Sequence, residues 1–379
     1  MLLKHFFYDI IRMNQNTMDK DNPFKKILNY FFSKSGGSAL GIDIGSSSIK
    51  LIQLKKKGGK AVLETYGEIS LGPYAGFEMG RSTSLNADKI AEALRDLIGE
   101  ANATTKACGM SIPISSSLIT FIRLPRSAEK QLKTVIPMEA RKYIPVPISE
   151  VSLNWWVVPE EREELSDFQS GAAEKPAPGI NVFLAAIHND AINRNTKIVK
   201  DAALESSFFE IELFSSIRSS LDQSLAPQMI FEMGAGSTKL YIVERGVLRN
   251  SHLINKGSQD VSIAVSKSMG ISFEEAERLK REYGIVNGGK EKDLTEITSL
   301  TLDYVFSEAS RILLNYQKKY NNSVSKVVLT GGGVNLKGLK EYAEKFFQTE
   351  WNQRGYGYKR PAGSWQQGSG HFWQFQPLY

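Results

Sequence analysis

Residues 39–54, ALGIDIGSSSIKLIQL, place a tight turn between two apolar runs. Such runs on either side of a short polar turn predict a β-hairpin. Asp43 nevertheless lies within the first apolar run, and three serines crowd the turn. Glycine lets a backbone approach an anion closely, and free N–H groups and hydroxyls then bind its oxygens. The stretch therefore predicts a phosphate-binding hairpin.

Residues 229–243, MIFEMGAGSTKLYIV, repeat this plan in register. The matching positions are Asp43 with Glu232, Gly45 with Gly234, Ser48 with Ser237, Lys50 with Lys239, and Leu51 with Leu240. Either hairpin alone is weak support for a site, because Asp and Gly are ordinary turn residues. Two similar units predict duplicated halves that face a cleft.

The two acids predict a metal in this cleft. A carboxylate beside bound phosphates is repelled unless a divalent cation, usually Mg²⁺ with retained waters, stands between them. Asp43 and Glu232 are therefore predicted as ligands of an Mg²⁺–nucleotide complex that act through water. Lys50 is expected to neutralise phosphate charge directly. The chain contains neither the Walker A pattern nor the dinucleotide-binding glycine pattern.

Two later stretches fit a nucleotide site. Residues 271–284, ISFEEAERLKREYG, predict a capped helix that ends at Gly284. Glu277, Lys280 and Arg281 share one side of this helix, which is either part of the site or a solvated charged face. Residues 329–336, LTGGGVNL, predict a strand that runs into three glycines, where a purine can lie against the backbone.

Composition limits the class of protein. The chain of 379 residues has room for two domains, and 41% of its residues are hydrophobic, as in a globular protein. Its net charge of +6 is spread along the chain, so we expect no nucleic-acid partner. The single cysteine, Cys108, excludes an intrachain disulfide and favours a reducing compartment. No apolar run is long enough to span a bilayer, and a cytosolic location is predicted, with Met1 or Met18 as the start.

The two ends of the chain differ from its centre. Residues 1–38 form an appendage, in which 22–32 predict a short helix that lies either on a membrane surface or against the body. Residues 160–179 predict a mobile hairpin tip. Residues 348–379 form an atypical tail without helical or strand periodicity, and we assign it no function.

The order of these motifs resembles the actin-like ATPase superfamily and, within it, the type IV pilus assembly protein PilM family, which is related to FtsA. The more discriminating stretches are MEARKYIPVP at 138–147, VSLNW at 151–155 and ISFEEAE at 271–277. The resemblance covers residues 39–347.

This resemblance implies an α/β, actin-like two-lobed fold with duplicated mixed-sheet domains and a small inserted subdomain. The first lobe would comprise residues 39–227, with the inserted subdomain at about 116–195, and the second lobe residues 228–347.

The resemblance also implies roles for individual residues, with ATP and Mg²⁺ as cofactors. The first phosphate loop would comprise Asp43, Gly45, Ser46, Ser47, Ser48 and Lys50. The second would comprise Glu232, Gly234, Gly236, Ser237 and Thr238. Contacts with the ribose, the adenine or the adenosine pocket would come from Glu277, Lys280, Arg281, Gly331, Gly332 and Gly333.

Glu212 matches the position of a water-orienting polar residue in the superfamily. One departure from the superfamily is that residues 348–379 contain no recognisable closing helix. A second is that Glu232 replaces the usual Asp, and because of this replacement and the role of Glu212 we expect an ATP-binding protein with at most weak ATPase activity.

In the family, a groove beside the inserted subdomain accepts the N-terminal peptide of the membrane protein PilN. The residues that would line it are Tyr143, Ile144, Pro145, Val146, Pro147 and Trp155. These apolar, proline-stiffened residues suit a short peptide, although each also fits the core of the subdomain. The implied location is peripheral, at the cytosolic face of the inner membrane, with other pilus components as partners and self-association as a further expectation.

Two alternatives remain open. One is an FtsA-like cell-division filament protein, although the C-terminal amphipathic helix that tethers FtsA is not recognisable here. The other is a small-molecule kinase of the same fold, which would need a carboxylate poised over a substrate pocket. The resemblance also leaves open a related secretion system in place of a pilus.

Overall fold

The computed structural model describes residues 37–58, 60–158, 179–222, 224–285, 292–347, 350–353 and 373–374. The predicted helix at 22–32 and nearly all of the predicted hairpin tip lie outside these residues. Of the described residues, Ile112–Arg194 belong to one compact unit and all others to a second, larger unit.

Strands and helices are numbered here in chain order. The strands are β1 Ser38–Ile44, β2 Ser48–Lys57, β3 Lys60–Ser70, β4 Ala107–Ile112, β5 Ser117–Pro125, β6 Val151–Val158, β7 Gly179–His188, β8 Glu205–Ile211, β9 Gln228–Met233, β10 Thr238–Glu244, β11 Val247–Ile254, β12 Lys326–Thr330, β13 Glu350–Gln353 and β14 Trp373–Gln374. The helices are α1 Ala87–Glu100, α2 Leu132–Ala140, α3 Asn189–Asp201, α4 Glu212–Ser220, α5 Ser258–Met269, α6 Phe273–Tyr283, α7 Lys292–Tyr320 and α8 Leu339–Glu344.

The larger unit contains two mixed sheets that share part of their topology. Their strand orders are β14-β3-β2-β1-β4-β8 and β11-β10-β9-β12-β13, so the first sheet has an extra strand, β14, at its edge. In the first sheet β1 is antiparallel to β2 and parallel to β4, and in the second β9 is antiparallel to β10 and parallel to β12. These pairings confirm the predicted mixed α/β class and extend the hairpin repeat to the neighbouring parallel strand.

Each sheet has its own hydrophobic core. Leu40, Leu51 and Leu94 are fully buried where α1 packs on the first sheet. In the second sheet Phe231 stacks on Phe306 of α7, with ring centroids 5.0 Å apart. The apolar residues of α1 face this core at helical spacing, and its N-cap Asn86 accepts a hydrogen bond from Lys89 N at 2.9 Å.

The smaller unit is a three-stranded antiparallel sheet in the order β5-β7-β6, with α2 against it. Its central strand β7 is buried almost throughout, as expected when one strand is covered on both sides. Trp156 stacks on Phe183 with ring centroids 4.0 Å apart. The unit therefore has a core of its own.

The tail contributes two short strands despite its lack of periodicity. Residues 350–353 pair in parallel with β12, and residues 373–374 pair with β3. Neither described part of the tail, residues 350–353 or 373–374, is helical. No helix among the described residues is both long and apolar enough to cross a bilayer.

Candidate functional site

The first predicted phosphate loop closes the β1–β2 hairpin. Gly45 N donates to Ser48 O at 2.9 Å, and Asp43 lies opposite Lys50 in the strand register. The carbonyls of Ser46 and Ser47 accept hydrogen bonds from Thr83 N and Leu71 N, both at 2.8 Å. These backbone bonds fix the loop against the segment that follows β3.

Side chains of the first loop divide into two groups. Ser48 donates to Glu68 Oε1 at 2.6 Å, and Lys50 Nζ lies 3.1 Å from Ser48 Oγ and 3.4 Å from Glu68. Asp43 is exposed and accepts a hydrogen bond from Ser111 Oγ at 2.7 Å. Lys50 is therefore turned toward β3, while Asp43 lies beside β4.

The second loop has the same backbone geometry. Gly234 N donates to Ser237 O at 2.9 Å, and Glu232 lies opposite Lys239. An added Cβ would lie 3.1 Å from the same carbonyl in each loop, that of Ser48 for Gly45 and that of Ser237 for Gly234. The repeat read from the sequence is therefore a repeat in structure.

The second loop also leads into α5. Ser258 N donates to Gly234 O at 2.9 Å, and Gln259 N donates to Ala235 O at 3.0 Å. Thr238 Oγ1 donates to the carbonyl of Lys256 at 2.8 Å. The first turn of α5 and the second loop are thus one hydrogen-bonded unit.

The two loops approach each other through Gly236. An added Cβ there would lie 2.8 Å from Ser82 Oγ and 3.1 Å from Ser46 Oγ. Ser82 N also donates to Gln259 Oε1 at 2.9 Å. The contribution of Ser82 could not be predicted from the sequence, because Ser82 belongs to an irregular segment whose neighbours are set by tertiary contacts.

A lysine lies between two candidate acids beside the second loop. Lys239 Nζ is 2.7 Å from Glu212 Oε2 and 3.0 Å from Glu232 Oε1, while Ser216 donates to Glu232 Oε2 at 2.8 Å. Burial alone would lower the pKa of Lys239, but the carboxylates of Glu232 and Glu212 outweigh burial and raise it. The sequence analysis pointed to Lys239 only through its match with Lys50 in the repeat.

The predicted metal ligands therefore differ in their surroundings. Asp43 is exposed and suited to hold a hydrated divalent cation. Both oxygens of Glu232 already accept hydrogen bonds from protein donors, one of them a cation. Among the described residues, no group of three or more His, Cys, Asp or Glu side chains is placed to hold a metal ion. The donor set fits a cation at Asp43 and does not fit one at Glu232.

Glu277 and Lys280 of α6 form a largely buried ion pair, and Arg281 contacts it from the surface. Glu277 pairs with Lys280 at 2.5 Å and with Arg281 at 2.6 Å, and Ser262 also donates to it. Burial raises the pKa of Glu277, but Lys280 and Arg281 outweigh this effect and lower it. Burial lowers the pKa of Lys280, and its ammonium also donates to Ser258 O at 3.0 Å. Lys280 thus joins α6 to the first residue of α5.

The three predicted adenosine-pocket glycines are not equivalent. Gly331 has φ +88°, and an added Cβ would lie 2.5 Å from Met233 O. A Cβ on Gly333 would lie 2.5 Å from Met233 Cγ, whereas one on Gly332 would meet no atom within 4 Å. Gly331 and Gly333 therefore permit close packing on the end of β9, and Gly332 alone borders open space.

The six candidate peptide-binding residues belong to the smaller unit. Ile144 is only 6% exposed and lies in the core, with Val146 and Trp155 packed against that core. Tyr143 is 43% exposed, and Pro145 and Pro147 are exposed as well. Met138, on α2, is 64% exposed and was not among the predicted residues.

Comparison with known proteins agrees with this architecture. Over 343 residues the chain is 22% identical to the cell division protein FtsA of Neisseria meningitidis serogroup B (strain ATCC BAA-335 / MC58), with 81% of each chain covered. It is 27% identical over 198 residues to FtsA of Buchnera aphidicola subsp. Baizongia pistaciae, and this match covers 44% of this chain and 46% of that FtsA.

Among solved structures, the chain is similar to one described as the PilM-PilN type IV pilus biogenesis complex. The TM-score is 0.67 at 21% identity, with 83% of this chain and 87% of that chain covered. This similarity confirms the actin-like ATPase fold predicted from the sequence. The family described as type IV pilus assembly protein PilM matches residues 41–352, and the chain belongs to that family.

Proposed function

We propose that this chain is an actin-like, ATP-binding component of type IV pilus assembly at the cytosolic face of the inner membrane. It would bind the N-terminal peptide of a PilN-like membrane protein and so act beside other pilus components. The observation that carries the nucleotide site is the pair of loops with identical backbone geometry, Gly45 N to Ser48 O and Gly234 N to Ser237 O, each at 2.9 Å. Membership of the PilM family supports the assembly role.

The loops offer the groups that a phosphate chain needs. Glycines at 45, 234 and 236 keep side chains away from the anion, and Ser46, Ser47 and Ser237 would supply hydroxyl donors. Bound Mg²⁺ would supply positive charge to the phosphates, and Asp43 would hold it through water. A Cβ on Gly236 would lie 3.1 Å from Ser46 Oγ, so the two proposed phosphate loops are neighbours.

Replacing Lys50 with alanine should weaken ATP binding about tenfold, because an ammonium beside the first loop would be lost. Lys55→Ala is a matched control on the same strand. The two side chains are 45% and 48% exposed and lie 3.4 and 3.5 Å from a glutamate of β3, Glu68 and Glu64 respectively. Titration of a fluorescent ATP analogue should separate the two variants, and equal affinities would argue against a phosphate role for this loop.

ATP hydrolysis is expected to be slow. A residue that orients the attacking water needs an oxygen placed to accept a hydrogen bond from that water. The ammonium of Lys239 lies 2.7 Å from Glu212 Oε2 and 3.0 Å from Glu232 Oε1, which ties the carboxylate of Glu212 to the second hairpin. Phosphate release by the purified protein should therefore stay near the rate of a Glu212→Ala variant. A fast rate that disappears in that variant would contradict this expectation.

The PilN-like partner is proposed from the family and from the exposed apolar residues of the smaller unit. Tyr143, Pro145, Pro147 and Met138 are exposed beside a core that holds Ile144. Prolines stiffen the chain, so less conformational entropy is lost when a peptide docks. An apolar peptide segment would cover these side chains, while Ile144 would support the surface from below.

Tyr143→Asp should weaken binding of a labelled PilN-like N-terminal peptide at least about tenfold, because a charge would replace an exposed aromatic contact. Fluorescence anisotropy measures this affinity, and the affinity for the ATP analogue should not change. Ile144→Asp is a poor test, since it places a carboxylate in the core.

Leu300→Asp controls for the change of an exposed apolar residue to a charge. Leu300 is 73% exposed and lies on α7 of the larger unit. We expect this variant to bind the peptide as the unchanged protein does. Undiminished binding by a folded Tyr143→Asp protein would move the peptide site away from this turn.

A further inference from the structure

We propose that Lys239 is the built-in cation of the second phosphate loop, and that its ammonium takes the place of a divalent metal between Glu232 and Glu212. This inference rests on the proposed nucleotide site and refines it. Any metal that accompanies the nucleotide would then be held from the Asp43 side alone.

The position of Lys239 follows from the hairpin. Glu232 on β9 and Lys239 on β10 are register partners in an antiparallel pair, so their side chains share one face of the sheet. Glu212, the first residue of α4, reaches the same ammonium from a different element. The ammonium therefore joins a strand pair to a helix end through two short, charge-assisted hydrogen bonds.

In the first loop, the corresponding acid and lysine contact other residues. Asp43 and Lys50 are also register partners, but Lys50 bonds to Ser48 and Glu68. Asp43 is exposed, with Ser111 as a hydroxyl donor. The repeat thus places a lysine opposite each acid, and in the second loop the ammonium of that lysine lies 3.0 Å from the acid.

Charge and coordination oppose a metal at the second acid. A cation approaching Glu232 would meet the positive charge of Lys239 within hydrogen-bond distance of the same oxygen. The other oxygen accepts from Ser216. An ammonium carries three donors, of which two are used by these carboxylates, and the third would donate to a phosphate oxygen. Lys239 therefore has the donors to neutralise the acids and to bind the anion.

The test measures Mn²⁺ binding to the nucleotide-free full chain, by electron paramagnetic resonance of the unbound ion. Lys239→Met removes the ammonium with little change in volume and leaves the two carboxylates without this counter-charge. We expect this variant to bind Mn²⁺ at least about tenfold more tightly than the unchanged protein, because two paired carboxylates are good ligands for a hard cation. The gain should disappear in Lys239→Met with Glu232→Gln. No gain in a folded Lys239→Met protein would overturn the proposal.

A second measurement does not depend on the folding of Lys239→Met. The affinity of a labelled ATP analogue is measured with Mg²⁺ and with EDTA for the unchanged protein, Asp43→Asn and Glu232→Gln. We expect Asp43→Asn to reduce the effect of Mg²⁺ and Glu232→Gln to preserve it. Loss of the Mg²⁺ effect in Glu232→Gln, to the extent seen in Asp43→Asn, would overturn the proposal.

The two experiments separate this inference from the nucleotide site itself. A protein that binds no ATP analogue under any condition would contradict the proposed function. The Mn²⁺ titration of Lys239→Met, which needs no nucleotide, would still decide whether the ammonium excludes a metal.

Discussion

Replacing Glu277 with alanine is expected to lower the free energy of unfolding by about 3–5 kcal/mol, the range seen when one partner of a buried ion pair is removed. Lys280 is buried, and its ammonium bonds to Glu277 and to the carbonyl of Ser258. Without Glu277 that ammonium would keep one neutral acceptor in place of a charge. Desolvation of Lys280 would then go uncompensated.

Urea unfolding followed by circular dichroism measures this loss. Glu275→Ala is the matched control, because it makes the same change on the same helix. Glu275 pairs with Arg278 at the surface, where ion pairs contribute little to stability, so we expect no measurable change. Similar unfolding midpoints for the two variants would mean that the Glu277 cluster is not a buried ion pair.

The loss of stability in Glu277→Ala should depend on pH in a definite direction. Burial lowers the pKa of Lys280 in the folded protein below the ordinary value of 10.5. Without Glu277 that pKa should fall further, because the attraction that raised it is gone. At a pH between this folded-state pKa of Lys280 and its ordinary value, the unfolded chain binds more protons than the folded protein does. The free energy of unfolding therefore rises with pH in that window. The deficit of Glu277→Ala should therefore shrink as the pH rises from 7 toward 10.

The duplicated hairpins could be predicted because they depend on local sequence. Each turn needs glycine where the backbone closes tightly, and a short turn fixes the register of the two strands that it joins. The pairing of Asp43 with Lys50 and of Glu232 with Lys239 follows from that register. The contact between Lys239 and Glu212 could not be predicted in this way, since it depends on how α4 packs against β9 and β10.

The burial of individual residues in the smaller unit could not be predicted from the local sequence either. The stretch at 143–147 contains two prolines and three apolar residues, which fits a surface turn and a core edge equally well. In the structure, Ile144 lies in the core and Tyr143 is exposed. The tail strands were missed for another reason, because a strand added at a sheet edge is held by backbone hydrogen bonds and needs no apolar alternation.

Gly257 was not recognised from the sequence, although its replacement should have one of the largest effects on the proposed site. Its φ of −141° is open to any residue, so backbone strain is not the issue. The obstacle is lack of space, because an added Cβ would lie 2.3 Å from Ala235 O and 2.6 Å from Ser237 N. These are backbone atoms of the second loop, which cannot move without breaking the bonds that Gly234 and Ala235 accept from α5.

Gly257→Ala should therefore lower the free energy of unfolding by about 2–4 kcal/mol and weaken ATP binding more than Lys50→Ala does. Thermal unfolding and titration of the ATP analogue measure the two effects. Gly99→Ala makes the same change near the end of α1, where an added Cβ meets no atom within 4 Å. Because alanine favours the helix, this control should gain up to about 0.5 kcal/mol. If Gly257→Ala kept full stability but lost ATP binding, only the loop geometry would depend on Gly257. If both properties survived, the second loop would not be packed against the start of α5 in this way.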